Sequence, residues 1–360
     1  LTVSQTGLNF LPPSVAKPMT EDSRTSKPTI YDVADQAGVA ISTVSRVLND
    51  SQDVADGTRE RVLQAIRELQ FRPNRTAKSL AEHTRKTISV AVPTFTTPFH
   101  NELLKGVRDR LDDEDVDLLL CDLEWEAPQR TLHNFLEGGA MDGLLIVGVG
   151  SDEELAEELS MLGAPVVLVG SYLEGFDSFY WNDEPGAKMA VDHLIEEGYS
   201  RIGMITTPHH NRIRDARVAG YRQGLEEAGI AFDPDLVVHG HTRKHDGFSE
   251  ESGYEAMQDL FALDQPVEAA FASSDVQAIG AWQALREEGL EVPKDFAFVG
   301  YDDIKVSRFI GLTSVAQNMH NVGNTATDLL LDRLSRDGPE EHVSRLVEPR
   351  LQVRKSSRNP

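Results

Sequence analysis

Residues 29–49 set the tightest limit on what this chain folds into, because they demand two short helices with a sharp bend between them. Thr29 followed three residues later by Asp32 fits a capping box, so a helix is expected from Ile30. Val33, Ala34 and Ala37 then share one face. Gly38 stands where the chain must turn, at a position that favours positive φ. A second helix opens at Ile41 or Ser42 and turns Val44, Val47 and Leu48 inward. Ile41, Ser42, Ser45 and Arg46 are left on the other side. A third helix, expected over about Thr58 to Gln70, repeats Val62, Ala65, Ile66 and Leu69 at helical spacing. Three such helices make a self-contained head. Any short helix pair can give this pattern, but the same geometry also seats a second helix in the major groove of DNA.

The next segment narrows the choice. Pro73 stops the third helix, Asn74 can cap a short new one, Arg75 and Lys78 supply cations, and Leu80 is apolar with no evident core to join. Tyr31-Asp32-Val33-Ala34, Ala37-Gly38-Val39, Ser42-Thr43-Val44-Ser45-Arg46-Val47-Leu48-Asn49, Thr58-Arg59-Glu60-Arg61-Val62 and Arg72-Pro73-Asn74 together resemble the lactose-repressor (LacI/GalR) family of bacterial transcription regulators. The resemblance covers nearly everything after Lys27. It implies that the second helix reads an operator in double-stranded DNA. It also implies a hinge helix over Asn74 to Ala81, with Leu80 wedged into the minor groove, a known way of bending a duplex. The DNA-contacting set expected from it is Thr29, Tyr31, Ile41, Ser42, Thr43, Ser45, Arg46, Asn49, Asn74, Arg75, Ala77, Lys78 and Leu80. The expected divisions are a disordered tail (1–27), the helix-turn-helix head (28–73), hinge and linker (74–86), and an effector-binding and dimerisation body (87–355).

Charge fits a head that differs from the rest. The net charge of −24 argues against general nucleic-acid affinity. Residues 22–86, however, carry 11 Lys+Arg against 9 Asp+Glu, while the remainder carries 24 against 50. An acidic host proteome would give the same totals. A near-neutral head on an acidic body suits contact with DNA through the head alone, with binding that weakens as salt rises. Cys121, the single cysteine, lies in the apolar run Val116–Cys121 and reads as a buried strand thiol. No Cys/His spacing suits zinc, and no cofactor is expected. Residues 1–27 lack the basic-then-apolar order of an export signal, and no apolar run reaches membrane-spanning length. With the DNA-binding head, these point to the cytoplasm.

Beyond Thr87 the pattern alternates. Strands are expected at Ile88–Val92, Val116–Cys121, Gly143–Val147, Pro165–Val169, Arg201–Ile205, Leu236–His239, Ala269–Ala272 and Phe296–Val299. Amphipathic helices fall between them. Several strands are continuous apolar runs, as parallel strands covered on both faces require. There are too many βα units for one sheet. The expected fold class is a small all-α helix-turn-helix head plus an α/β body of two doubly wound parallel-sheet lobes, periplasmic-binding-protein-like, with a ligand between the lobes at the strands' carboxyl ends.

Loops after those strands carry the ligand residues that the resemblance implies. Thr97-Pro98-Phe99-His100 matches an Asn-Pro-Phe-Phe-like loop, with Phe99 as the stacking ring and His100 in place of the second aromatic. Arg217 in Arg217-Val218-Ala219-Gly220-Tyr221 matches the main ligand anchor, and Phe248 matches an aromatic wall. Ser274 stands where an Ala-Asn-Asp motif has Asn, and Asp302 belongs to Val299-Gly300-Tyr301-Asp302-Asp303. Leu312–Gln317 matches a cross-over between lobes. Singly, each has a plainer reading: aromatics in a core, Arg217 on a surface, Asp302 and Asp303 capping a helix. Their appearance in family order after successive strands favours the site.

A guanidinium fork, a carboxylate and two flat rings suit a sugar, cyclitol or sugar phosphate. Purine-responsive members carry a further arginine at the position of Asn211, so a purine or nucleoside is the alternative; Arg212 and Arg214 stand close by and also suit a phosphate. His209-His210 is no metal pair, since neighbouring side chains diverge. The expected protein is a homodimeric transcriptional regulator, a repressor, whose hinge helices are too short to be stable alone and fold only when paired on DNA. No leucine heptad trails Arg354, so a dimer is expected over a tetramer. An enzyme is disfavoured: Gly-x-Ser-x-Gly, phosphate-binding-loop and dinucleotide fingerprints are all missing. A sugar receptor without DNA would have no use for residues 28–81.

Overall fold

The computed structural model describes residues 28–48, 51, 53–71, 86–123, 128–138, 141–150, 152–335 and 341–358. They divide into two compact units at about residue 83.

The head consists of α1 (Ile30–Ala37), α2 (Ile41–Leu48) and α3 (Asp56–Glu68). The capping box forms: Thr29 Oγ1 accepts the Asp32 N–H at 3.4 Å, and the Asp32 carboxylate accepts the Thr29 N–H at 2.7 Å. Gly38 ends α1 at φ 61°. Val33, Val44 and Val62 are fully buried, with Val47, Ala65 and Phe71 closing the core around them. The third helix starts two residues before the sequence pattern suggests and stops at Glu68, because Gln70 turns left-handed at φ 51°.

The body holds two six-stranded sheets. The first contains β1 (Lys86–Val92), β2 (Val116–Asp122), β3 (Gly143–Val147), β4 (Val166–Val169), β5 (Asp177–Tyr180) and β11 (Ser344–Leu346). Its order is β11-β5-β4-β3-β1-β2, and all pairs are parallel. The second contains β6 (Ile202–Thr206), β7 (Val237–His239), β8 (Ala269–Ala272), β9 (Ala297–Asp302), β10 (Thr313–Ala316) and β12 (Arg350–Gln352), in the order β12-β10-β9-β8-β6-β7. Only the β10–β12 pair is antiparallel. Each sheet has an apolar cluster on both faces.

Four strands escape the sequence pattern: β5, β10, β11 and β12. Each is three or four residues long and rich in polar groups, too short to show a period. Leu312–Gln317, matched to a cross-over, is β10 plus the cross-over itself. The run Leu118–Leu120 in β2 is also corrected. Although continuous and apolar, it is not covered on both faces; β2 is an edge strand and these three side chains are 40–43% exposed. Cys121 is buried beside them.

The helices that set the lobes are α4 (Pro98–Leu111), α5 (Pro128–Glu137), α6 (Glu153–Ser160), α7 (Asp183–Glu196), α8 (Arg212–Glu227), α9 (Glu250–Phe261), α10 (Asp275–Glu287), α11 (Lys305–Ile310) and α12 (Met319–Ser335). The chain crosses between lobes after β5, after β10 and after β11. As a result α12 and β11 complete the first lobe, although they follow nearly all of the second. A Cβ at Gly106 would lie 1.9 Å from the His320 carbonyl oxygen, and one at Gly323 2.2 Å from that of Leu103. Glycine at both places lets the α4 and α12 backbones touch.

Candidate functional site

A cleft opens between the sheets at the carboxyl ends of their strands. The first lobe contributes the turn after β1, the amino end of α4, Gly148, Gly170 and Trp181. The second contributes the start of α8, the turn 244–248, the start of α10, and the stretch after β9. Phe99, Arg217, Phe248, Ser274 and Asp302 all stand in its wall.

Arg217 projects from the first turns of α8 and is buried. Its Nε and Nη2 both donate to Asp183 Oδ1, at 3.0 and 2.8 Å, and Nη1 donates to the Ser273 carbonyl. Its guanidinium lies 3.8 Å from the Tyr301 ring centre. Asp302 is farther away, 4.0 Å from Nη1. The fork therefore faces Asp183 first, where the sequence reading sets it against Asp302. Burial works against the charge on Arg217, but Asp183, Tyr301 and Asp302 outweigh it and keep the group cationic. Burial pushes the Asp302 carboxyl well above the usual carboxylate range despite Arg217 nearby.

Asp302 and Asp303 both take positive φ, 103° and 50°, an uncommon conformation for side-chain-bearing residues. Their surroundings hold them there. Ser314 Oγ accepts the Asp303 N–H at 3.0 Å, Arg354 meets the Asp303 carboxylate at 2.6 Å, and Asp275 accepts the Ile304 N–H at 2.9 Å. Asp275 is fully buried and also accepts from Ser307 and Ser314 hydroxyls, each at 2.6 Å. Burial raises its pKa to about 7 against those bonds.

Two wall residues show how their loops are held. Ser274 lines the cleft but spends its hydroxyl on capping α10, accepting the Gln277 N–H at 3.3 Å and donating to Gln277 Oε1 at 3.2 Å. Phe248 is delivered by a tight turn in which His245, Asp246 and Gly247 all have positive φ. Asp246 anchors that turn through His209 Nδ1 (2.5 Å) and Asn211 Nδ2 (3.0 Å). Asn211 also caps α8 by accepting the Arg214 N–H. His210 pairs with Asp215, so the adjacent histidines serve different carboxylates.

Sequence reasoning passed over Asp183, Trp181 and His245. Trp181 and Asp183 follow β5, whose brevity hid it and therefore hid the loop behind it. His245 had one signal available, the Asp246-Gly247 pair that marks a turn.

In the head, Tyr31, Ile41, Ser42 and Arg46 are exposed, while Thr43 and Ser45 are half-buried. Thr29 is exposed and engaged in the capping box. Asn49, Asn74, Arg75, Ala77, Lys78 and Leu80 lie outside the described residues. Among the described residues no helix is long and apolar enough to cross a membrane, and no cluster of three metal-ligating side chains occurs.

Known proteins match this arrangement. The family described as "Bacterial regulatory proteins, lacI family" matches residues 29–74, and "Periplasmic binding protein-like domain" matches residues 191–357. The HTH-type transcriptional repressor PurR of Histophilus somni (strain 129Pt) is 33% identical over 337 residues, covering 91% of this chain and 98% of that protein. Among solved structures, a transcriptional regulator CelR–cellobiose complex is similar at 32% identity and TM-score 0.62, over 91% of this chain and 99% of that one. The lac repressor dimer bound to operator and the anti-inducer ONPF is similar at 27% identity and TM-score 0.67, over 92% of this chain and all (100%) of that one. A helix-turn-helix head, two parallel-sheet lobes and full-length likeness to repressors agree: the chain belongs to the lacI family of bacterial regulatory proteins and is a DNA-binding transcriptional repressor.

Proposed function

We propose that the repressor's operator affinity is set by a sugar, cyclitol or sugar phosphate held between the lobes. The observation that carries this reading is the buried Arg217–Asp183 pair with Asp302 beside it, a charged corner in a cleft that also presents the rings of Phe99, Trp181 and Phe248. A polyol offers hydroxyl edges to such a corner and C–H faces to Phe99, Trp181 and Phe248. The relatives' own ligands, cellobiose in one and ribose in an Enterococcus faecium regulator of 27% identity, support it. A purine is the second reading, favoured by the relatives named PurR and by the flat rings of the cleft. Against it, Asn211 occupies the place of the extra arginine and turns its amide to Asp246.

In this reading residues 28–73 are the DNA-reading head and 74–86 the hinge. Ile41, Ser42, Thr43, Ser45, Arg46 and Asn49 face the major groove, Thr29 and Tyr31 contact the backbone, and Asn74, Arg75, Ala77, Lys78 and Leu80 serve the operator centre. It works without catalysis, in the cytoplasm. Selection from a random duplex pool should return a near-palindrome with half-sites about one helical turn apart. An effector identified by thermal shift among polyols and purines should then change operator affinity about 5- to 150-fold in fluorescence anisotropy. Failure to enrich any sequence would overturn the reading.

The protein acts as a homodimer in this reading. Leu118, Leu119 and Leu120 on the open edge of the first sheet, and Val306 and Phe309 on α11, are exposed apolar side chains of the kind a partner copy covers. Phe309 is 80% exposed. Leu119→Asp with Phe309→Asp should give a monomer by analytical ultracentrifugation and weaken operator binding at least tenfold, since each half-site then binds alone. A double variant that still sediments as a dimer would remove both patches from the interface.

A further inference from the structure

His100 is the buried titratable group of the cleft wall that the reading above leaves idle. It sits on the first turn of α4, only 7% exposed. Thr97 caps that helix, and its Oγ1 accepts the His100 backbone N–H at 3.4 Å. The same oxygen lies 2.7 Å from His100 Nδ1. Either ring tautomer satisfies this contact; in the one where the hydroxyl donates, Nδ1 accepts. The proton of the neutral ring then resides on Nε2. Nε2 makes no hydrogen bond to another described residue, and the residue lines the cavity. Burial, with His245 on the opposite lobe as the second cause, lowers the pKa of His100 to about 4. The ring is uncharged at neutral pH.

Most other charges of the cleft are matched or suppressed. Arg217 is matched by Asp183 and has Asp302 beside it. His245 is itself held low by burial and Lys244, against the pull of Glu250, Glu251 and Asp122. Arg212 stands exposed at the rim and donates to the Gly170 carbonyl at 2.9 Å. A phosphate deep in the cleft would meet the Asp302 carboxyl and an arginine already matched by Asp183, with Arg212, held by a carbonyl alone, out at the rim.

We propose that His100 is a specificity residue of this cleft, donating its Nε2–H to an oxygen of an uncharged polyol, and that the cleft rejects the phosphate ester of the same polyol. The inference rests on the polyol reading of the site and narrows it.

The test is isothermal titration of wild type, His100→Phe and His100→Gln with cellobiose, D-ribose, myo-inositol, ribose 5-phosphate and hypoxanthine. Unliganded thermal midpoints establish that each variant is folded. At least one neutral polyol should bind wild type, and His100→Phe should weaken it about tenfold, the loss of one hydrogen bond. His100→Gln, whose amide nitrogen reaches the place of Nε2, should recover most of that loss. Ribose 5-phosphate should bind at least tenfold more weakly than ribose or not at all. Long-range ¹H–¹⁵N spectra should show the Nε2–H tautomer for His100. Equal polyol binding by wild type and His100→Phe, an Nδ1–H tautomer, or tighter binding of the phosphate ester overturns this inference and leaves the polyol reading standing. Binding of hypoxanthine alone, or of no probe by any of the proteins, overturns both.

Discussion

Replacing Arg217 with alanine should destabilise the body by about 3–5 kcal/mol and abolish the response to effector. The expected size follows from what the side chain leaves behind. Asp183 has no exposed side-chain surface, and Arg217 is its ion-pair partner. Breaking a buried pair from one side strands the other charge, which costs far more than the pair itself contributes. Urea denaturation of the single variants and of Arg217→Ala with Asp183→Asn measures this. The double variant should recover at least half of the loss, because the stranded charge goes with it. If Arg217→Ala is as stable as wild type, the carboxylate has another source of neutralisation and the pair is not structural. If the variant is stable and still responds to effector, Arg217 leaves the binding site altogether.

The second large effect is a pH dependence centred on Asp275. Its folded pKa is about 7, against 3.8 for an ordinary aspartate. Between those values the folded chain holds a proton that the unfolded chain has lost. Stability is therefore fully present below about pH 4 and declines as pH rises towards and through 7. Integrated over that window the loss is at most about 4 kcal/mol, at about 1.4 kcal/mol per pH unit. Asp275→Asn keeps an oxygen for Ile304 and Ser307 and can donate to Ser314, so it should fold and lack this dependence. The stability of the variant relative to wild type, measured in urea at pH 5, 6, 7 and 8, should rise from 5 to 7 and level off towards 8. A difference that stays constant with pH would mean that the carboxyl is already ionised at pH 5. The outcome bears on the site because Asp275 fixes Ile304, the residue that follows the strained Asp302–Asp303 pair.

The head was legible because its determinants are local. Thr29 and Asp32 are three apart, Gly38 ends one helix, and Val33, Val44 and Val62 fall on helical periods that meet in one core. In the cleft, Phe99, Arg217, Phe248 and Asp302 were found through motifs that follow strands. What stayed hidden depends on pairing over distance. Asp183 meets Arg217 across 34 positions, a separation that no period announces. β10 exists because it fits between β9 and β12, and β12 because it finds β10; neither has enough apolar alternation to stand out alone. Leu118–Leu120 misled in the opposite direction. Its composition suits a central strand, but its place at the sheet edge follows from topology, which composition does not encode.

The crossing of the chain after β10 and again after β11 has a consequence for synthesis. The first lobe lacks a buried helix, with Met319, Val322, Ala326 and Leu330 in its core, until residues beyond 330 have left the ribosome. The second lobe waits even longer, for β12 and for Ser356 and Ser357, which tie down Thr313, Phe298 and His193. While the head is free to fold as soon as it emerges, both lobes are sealed only by residues 319–357. A nascent chain stalled before that point can present a DNA reader with no working ligand control.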